Sequence, residues 1–262
     1  MDILYIIKKG ASKCNDFELR TSLRSIAKHG KNIGKVYVVG HCPEWLSDEV
    51  VRIPYDGIYA EPQNQHEKHI NITSALLYAI DHSDIGEEFL VSMDDHFYVR
   101  DVDFDNYPYY CKVCSYGEGE NKMFLPSSAK RSDEPYRHFL VDTNALCLSH
   151  RINNCNLTLH RNMHCSRRIV AECRNIIEQM IANGHIAEMW SFLNNWQYTH
   201  YGMEIVPVKD VKVNGGNEWW KTDPRNTEVF STVDFKDHSG LHVLIGGLFP
   251  DVCKYEKEVS NE

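Results

Sequence analysis

The sequence predicts an α/β fold, a mostly parallel central sheet flanked by helices. Two observations carry that expectation. Over the first 100 residues, short apolar runs of strand length alternate with amphipathic stretches of helix length. The strand, helix, strand order then calls for crossover connections, which join parallel strands.

Residues 2–7 form the first strand, from Asp2 to Ile7. The polar loop after it, Lys8-Lys9-Gly10-Ala11-Ser12-Lys13, holds three lysines and a glycine, a composition suited to cradling an anion. From Asp16 to Lys28 the apolar positions Phe17, Leu19, Leu23 and Ile26 mark a helix that Asp16 is placed to cap. Lys35-Val36-Tyr37-Val38-Val39-Gly40 and Val50-Val51-Arg52-Ile53-Pro54 are the next strands. A helix of about 15 residues follows from His66, bearing Ile70, Ile72, Leu76, Leu77 and Ile80. The apolar run Phe89-Leu90-Val91-Ser92-Met93 ends in Asp94-Asp95-His96, and Phe97-Tyr98-Val99 returns at once to strand composition. Beyond Asp101 the pattern weakens. Phe139-Leu140-Val141, Asn144-Ala145-Leu146-Cys147-Leu148 and Ile205-Val206-Pro207-Val208 read as short strands, alternating with helices near 166–182 and 186–198.

The chain has 262 residues, 42% hydrophobic and 25% charged, which is enough to bury a core as a single domain over 1–262. No run reaches the roughly 18 apolar residues of a membrane span, and the N-terminal residues lack a basic lead and cleavage site, so a cytoplasmic protein is expected. Nine scattered cysteines, an odd number, fit a reducing compartment better than a disulfide framework. Cys111-Lys112-Val113-Cys114 has the spacing of a zinc knuckle or redox pair, but no second such pair follows; two strand cysteines are the plainer reading.

A net charge of −9 argues against nucleic-acid binding through global electrostatics. Locally the balance reverses. No acid lies between Asp142 and Glu172, while Arg151, His160, Arg161, His164, Arg167 and Arg168 crowd that stretch. Such a patch suits a phosphate-bearing acceptor such as DNA. The alternative is a solvated helix face whose arginines pair with distant acids.

Asp94-Asp95-His96 is the most informative feature. Adjacent carboxylates repel unless a cation sits between them, so the triplet reads as a metal site against the bland alternative of a solvated turn. The imidazole favours Mn²⁺ over Mg²⁺.

The residues also match a known pattern. Ile6-Ile7-Lys8-Lys9-Gly10, then Glu18 to Ile26, then Lys35 to Gly40 with Pro43-Glu44-Trp45-Leu46, and Ser92-Met93-Asp94-Asp95-His96-Phe97 resemble, in order and spacing, glycosyltransferase-like proteins. These are similar to Stealth-type sugar-phosphate transferases and to transferases encoded by bacteria and phages. Asn156-Leu157-Thr158-Leu159-His160 looks like the acceptor-side histidine segment of such proteins, and Leu248-Phe249-Pro250 with Lys254-Tyr255-Glu256 like their terminal segment. One departure is that His96 replaces the last acid of a DxD motif.

The resemblance implies the GT-A (nucleotide-diphospho-sugar transferase) fold, a nucleotide-diphosphate sugar donor and Mn²⁺ or Mg²⁺. Residues 1–100 would form the nucleotide-sugar half and 101–262 the acceptor half. Asp94, Asp95 and His96, joined by His238, would hold the metal, although His238 reads equally as an exposed loop histidine. Lys9, Gly10, Arg20, Lys68 and Asn71 would meet the donor, with Arg24 paired instead to a sheet-end carboxylate. The proton of the attacking hydroxyl would pass to Asp142 or Asp210, both read as strand-edge carboxylates. Trp190, Trp196, Trp219 and Trp220 offer faces for stacking on a base or sugar, at least two of them being core candidates. The preferred acceptor is a hydroxymethylated pyrimidine in phage-type DNA. The alternatives are a cell-surface polysaccharide, sugar-1-phosphate transfer of the Stealth type, and an inactive sugar-nucleotide-binding module.

Overall fold

The computed structural model describes residues 1–8, 16–115, 121–213, 223–232 and 240–257. In chain order the strands are β1 (Asp2–Ile7), β2 (Gly30–Lys31), β3 (Val36–Gly40), β4 (Val50–Pro54), β5 (Glu88–Ser92), β6 (His96–Tyr98), β7 (Val102–Asp103), β8 (Tyr109–Lys112), β9 (Cys114–Ser115), β10 (Asn121–Lys122), β11 (Met163–Ser166), β12 (Ile205–Val208), β13 (Lys212–Val213) and β14 (Val229–Thr232). The helices are α1 (Phe17–His29), α2 (Gln65–Asp81), α3 (Pro135–Ser149), α4 (Arg167–Ala182), α5 (Met189–Tyr201) and α6 (Gly240–Leu248).

The central sheet has the order β11-β5-β1-β3-β4. Strands β5, β1, β3 and β4 run parallel, and β11 joins the edge antiparallel to β5. This is the expected mixed α/β architecture, with a mostly parallel sheet flanked by helices.

Alternation along the strands divides the core into two layers. Leu4 and Ile6 of β1, Tyr37 and Val39 of β3, and Phe89 and Val91 of β5 pack with α2 through Ile70, Leu76 and Ile80, and with Ile169, Val170, Phe192 and Leu193 of α4 and α5. Ile3, Tyr5, Ile7, Val36, Val38 and Leu90 face the other way, onto Leu19, Leu23 and Ile26 of α1. Those three helical positions lie four and three residues apart, the spacing of one buried stripe.

Small polar side chains on α1 set the path of the chain after β5. Tyr5 Oη lies 3.0 Å from Ser22 Oγ, and Ser22 Oγ donates to the His96 carbonyl at 2.6 Å. The Tyr98 N–H donates to Ser25 Oγ at 3.1 Å. A bulkier residue at either serine would push β6 off the helix. At the end of β3, Gly40 has φ 99°, and a Cβ there would meet the Ile7 carbonyl oxygen at 2.1 Å. The carboxyl ends of β1 and β3 therefore approach each other as only glycine permits.

Two local expectations are corrected. The runs Phe139–Val141 and Asn144–Leu148 are not strands but parts of the single helix α3. Pro135 opens it, and its buried residues Phe139, Leu140, Thr143, Asn144 and Cys147 recur at helical spacing. Asp16 does not cap α1: it adopts left-handed φ 57°, makes no cap bond, and accepts instead from Trp45 Nε1 at 3.1 Å.

Candidate functional site

The turn carrying Asp94 and Asp95 lies between β5 and β6, at the carboxyl edge of the parallel strands, where open α/β sheets bind their ligands. The His96 N–H reaches back to the Met93 carbonyl at 3.4 Å, closing the turn. Asp94 is half-buried, and its pKa is pushed up to about 8 by burial first, then by the charges of Asp95, Glu18 and Asp16. Two chain segments, the β5–β6 turn and the start of α1, thus gather four acids.

His96 is buried. Its Nε2 stands 3.8 Å from Asp95 Oδ1, while Nδ1 lies 3.4 Å from Ser92 Oγ and from the Met93 nitrogen. Burial lowers its pKa, against the opposing pull of Asp95 and Asp210, so the ring is neutral at pH 7. The triplet does not present three converging ligands. Among the described residues, the one trio of histidine, cysteine or acid side chains with ligand atoms all within 4.8 Å of one another is His66, Asp142 and His185. His238, Lys9 and Gly10 lie outside the described residues.

On the acceptor side, the antiparallel run of β11 separates residues that are close in sequence. Its register sets Met163 against Val91 and Ser166 against Glu88. His160 and Arg161 therefore precede β11 at the carboxyl edge, whereas Arg167 and Arg168 begin α4 at the amino edge, a strand length or about 15 Å away. There they line a cleft of about 310 Å³ with Arg174, Asp81 and Glu87. The Arg168 N–H donates to Glu87 Oε1 at 2.8 Å, and its guanidinium lies over the Tyr201 ring, 4.1 Å from the centroid.

Arg161 is 4% exposed, lies 4.3 Å over the Tyr110 ring, and donates to Glu228 at 3.3 Å. His164 is buried and stacked on Tyr109 at 3.8 Å. Arg151 is exposed, in left-handed backbone after α3. The expected arginine patch is thus dispersed over two edges and the interior.

What does assemble near the acidic turn is His160 with Asp210. The His160 N–H is shared between the two Asp210 oxygens at 3.1 and 2.9 Å, His160 Nε2 lies 4.0 Å from Oδ2, and Lys112 Nζ lies 3.2 Å from Oδ2. The Asp210 side chain is 2% exposed. Burial lowers the His160 pKa, with Asp210 pulling the other way and His96 among the charges acting on it. Asn162 acts on the His96 ring as well. The sequence had set His160 and Asp210 in different roles, and Lys112 and Asn162 carry no local signal that would have singled them out.

The remaining expected donor residues are placed as follows. Arg20 and Arg24 both pair with Glu256, at 3.0 and 2.6 Å, and Arg20 also lies 4.0 Å over the Trp45 ring. Arg24 does pair with a carboxylate, but one from the C-terminal segment and not from a sheet end, and Arg20 shares it. Asn71 spends its amide on the loop after β4, accepting from the Ile58 and Tyr59 N–H groups at 2.8 Å and donating to the Tyr59 carbonyl at 2.7 Å. It shapes that loop. Lys68 is exposed on the first turn of α2. Asp142 is exposed on α3, 3.8 Å from His66, and not at a strand edge. Trp190 is core, and Trp196 half-buried, donating to Glu172 at 3.1 Å; Trp219 and Trp220 lie outside the described residues.

No protein-family model matches the chain, and no curated protein matches it. Among solved structures it is similar to the apo-form glycosyltransferase GlyE of Streptococcus pneumoniae TIGR4, with a TM-score of 0.46 and 11% identity over 94% of this chain. The chain spans 59% of that neighbour's length. Among the described residues no helix is long and apolar enough to cross a membrane.

Proposed function

We propose that the protein is a GT-A-type glycosyltransferase that moves a sugar from a nucleotide-diphosphate donor to a hydroxyl acceptor with the help of a divalent ion. The observation that carries this reading is Asp94, half-buried at the carboxyl edge of the sheet and driven up to about 8 by burial and by Asp95, Glu18 and Asp16. A site that concentrates acid in this way is relieved by a cation, and two carboxylates fit a hard divalent ion. The sequence resemblance across the first 100 residues supports the same reading.

Asp94 and Asp95 would hold the ion, Mn²⁺ or Mg²⁺, with the His96 ring 3.8 Å from Asp95. An ion bound there neutralises the charge that develops on the departing diphosphate. The neutral His160 ring is the group to accept the proton of the attacking hydroxyl. Asp210, which Lys112 and the His160 N–H hold in place, stabilises the imidazolium that results. Asp210 is too enclosed to act as the base itself, and Asp142 belongs to a different cluster.

The first acceptor to test is hydroxymethylated pyrimidine in phage-type DNA, whose phosphates Arg151, being exposed, would meet. A polysaccharide hydroxyl is the second, favoured by the burial of Arg161 and His164 and by the distance of Arg167 and Arg168. Incubating the protein with Mn²⁺ and a panel of nucleotide sugars, with modified DNA or glycans, and measuring nucleoside diphosphate release tests the proposal. Release of nucleoside monophosphate would instead identify sugar-1-phosphate transfer. Donor binding with neither product would identify a binding module.

A further inference from the structure

A second cluster lies apart from the acidic turn, where the start of α2, the middle of α3 and the segment before α5 meet. His66 follows the Asn64 cap of α2, whose side chain accepts from the Glu67 N–H at 3.0 Å. The His66 ring is fixed on two sides. Its edge packs T-shaped against Phe139 at 5.2 Å, and Nδ1 faces the Ile186 backbone, 2.9 Å from the carbonyl and 3.2 Å from the N–H, so the tautomer decides which of the two it binds. When Nδ1–H donates to that carbonyl, the lone pair of His66 is on Nε2, and Nε2 stands 3.8 Å from Asp142 Oδ2. A backbone carbonyl holding the far nitrogen is the usual support of a metal-bound histidine.

Asp142 sits one helical turn beyond Phe139 on the same helix, so the residue that packs His66 also brings the carboxylate to it. His185 completes the group, its ring centroid 4.0 Å from that of His66 at a tilt of 33°. All three ligand atoms lie within 4.8 Å of one another. Two ligands bound tetrahedrally at about 2.1 Å from one ion are separated by about 3.4 Å. The His66–Asp142 spacing is already close to that value and too long for a hydrogen bond. His185 is exposed, so a small turn of its ring can bring its lone pair to the same point.

We propose that His66, Asp142 and His185 bind a Zn²⁺ ion, with a fourth position left to water, and so pin together α2, α3 and the connection from α4 to α5. Two imidazole nitrogens and one carboxylate oxygen form a donor set that suits a borderline divalent ion. The exposure of Asp142 and His185 gives the ion a route from solvent. The role is structural and independent of the sugar-transfer reading, because no residue of the trio belongs to the acidic turn.

The test uses the full chain stripped of metal with a chelator. Zn²⁺ is titrated in calorimetrically and melting temperature recorded, and Co²⁺ is added separately to read tetrahedral coordination from its visible absorption. The wild-type protein should bind one Zn²⁺ at this site, gain thermal stability, and give the intense Co²⁺ bands. His185→Gln and Asp142→Asn, at exposed positions, should each weaken Zn²⁺ binding at least about tenfold while keeping the metal-free melting temperature. Asp94→Asn should leave Zn²⁺ binding unchanged. The proposal is overturned if the wild-type protein takes up no Zn²⁺, if His185→Gln and Asp142→Asn bind it as the wild type does, or if Asp94→Asn abolishes it.

Discussion

Asp210 receives the His160 backbone N–H on both of its oxygens, at 3.1 and 2.9 Å, so the carboxylate fixes the chain at the very residue whose ring it also faces. Asp210→Ala would leave that N–H and the Lys112 ammonium without their anion. The expected cost is about 2–3 kcal/mol in urea unfolding, together with loss of transfer activity. His160→Ala keeps the backbone bond. It should leave the unfolding midpoint nearly unchanged and lower kcat by about 100-fold or more, a split that separates the ring's chemistry from the scaffold's stability.

Asp94 makes metal-free stability depend on pH with a definite sign. Below pH 3.8 folded and unfolded chains both hold the proton. Between 3.8 and about 8 the folded state retains it and the unfolded chain does not, so stability falls as pH rises across that window. The fall is on the order of a few kcal/mol, the group being half-buried. Thermal melts of chelated protein at pH 5 and pH 8 should show a larger loss for wild type than for Asp94→Asn, in which buried Glu188, raised to about 7, still titrates across the window. Mn²⁺ should restore wild-type stability at pH 8 and leave the variant where it was.

Glu256, with its side chain 1% exposed, is shared by Arg20 and Arg24 and anchors the segment 253–257 to α1. Removing the carboxylate leaves two partly enclosed guanidinium groups facing each other. Glu256→Ala should destabilise the protein by about 3 kcal/mol in denaturant unfolding, whereas Lys35→Ala, whose Asp84 partner is on the surface, should leave the unfolding midpoint nearly where it was.

Gly40→Ala places a Cβ 2.1 Å from the Ile7 carbonyl oxygen in backbone with φ 99°. Relief requires β1 and β3 to part at the edge where the site is built. The variant should lose about 2–3 kcal/mol and weaken donor binding, both measurable without an acceptor.

The parallel half of the fold was legible because each of its strands is apolar on both faces and each helix carries one buried stripe, as in Leu19, Leu23 and Ile26. Residues 139–148 were misread since a short apolar run has no period of its own. The helical signal was the recurrence of Phe139, Thr143 and Cys147 behind Pro135. At the site, the adjacency of Asp94 and Asp95 at the end of β5 could be read, whereas the approach of Asp16 and Glu18 from α1 could not. The arginine stretch could not, because β11 runs antiparallel and carries its two ends to opposite edges of the sheet. Nor could the meeting of His160 with Asp210, or of His66 with Asp142 and His185, since those pairings bridge dozens of residues and depend on how helices and strand ends pack.

The most direct test of the divalent-ion site at Asp94 and Asp95 is calorimetric titration of a nucleotide-diphosphate sugar into the full chain at pH 7.5, with and without Mn²⁺, for wild type and for Asp94→Asn. The expected result is donor binding that requires Mn²⁺ and disappears in the variant. Donor binding of equal strength in all four combinations would contradict a cation held at that turn.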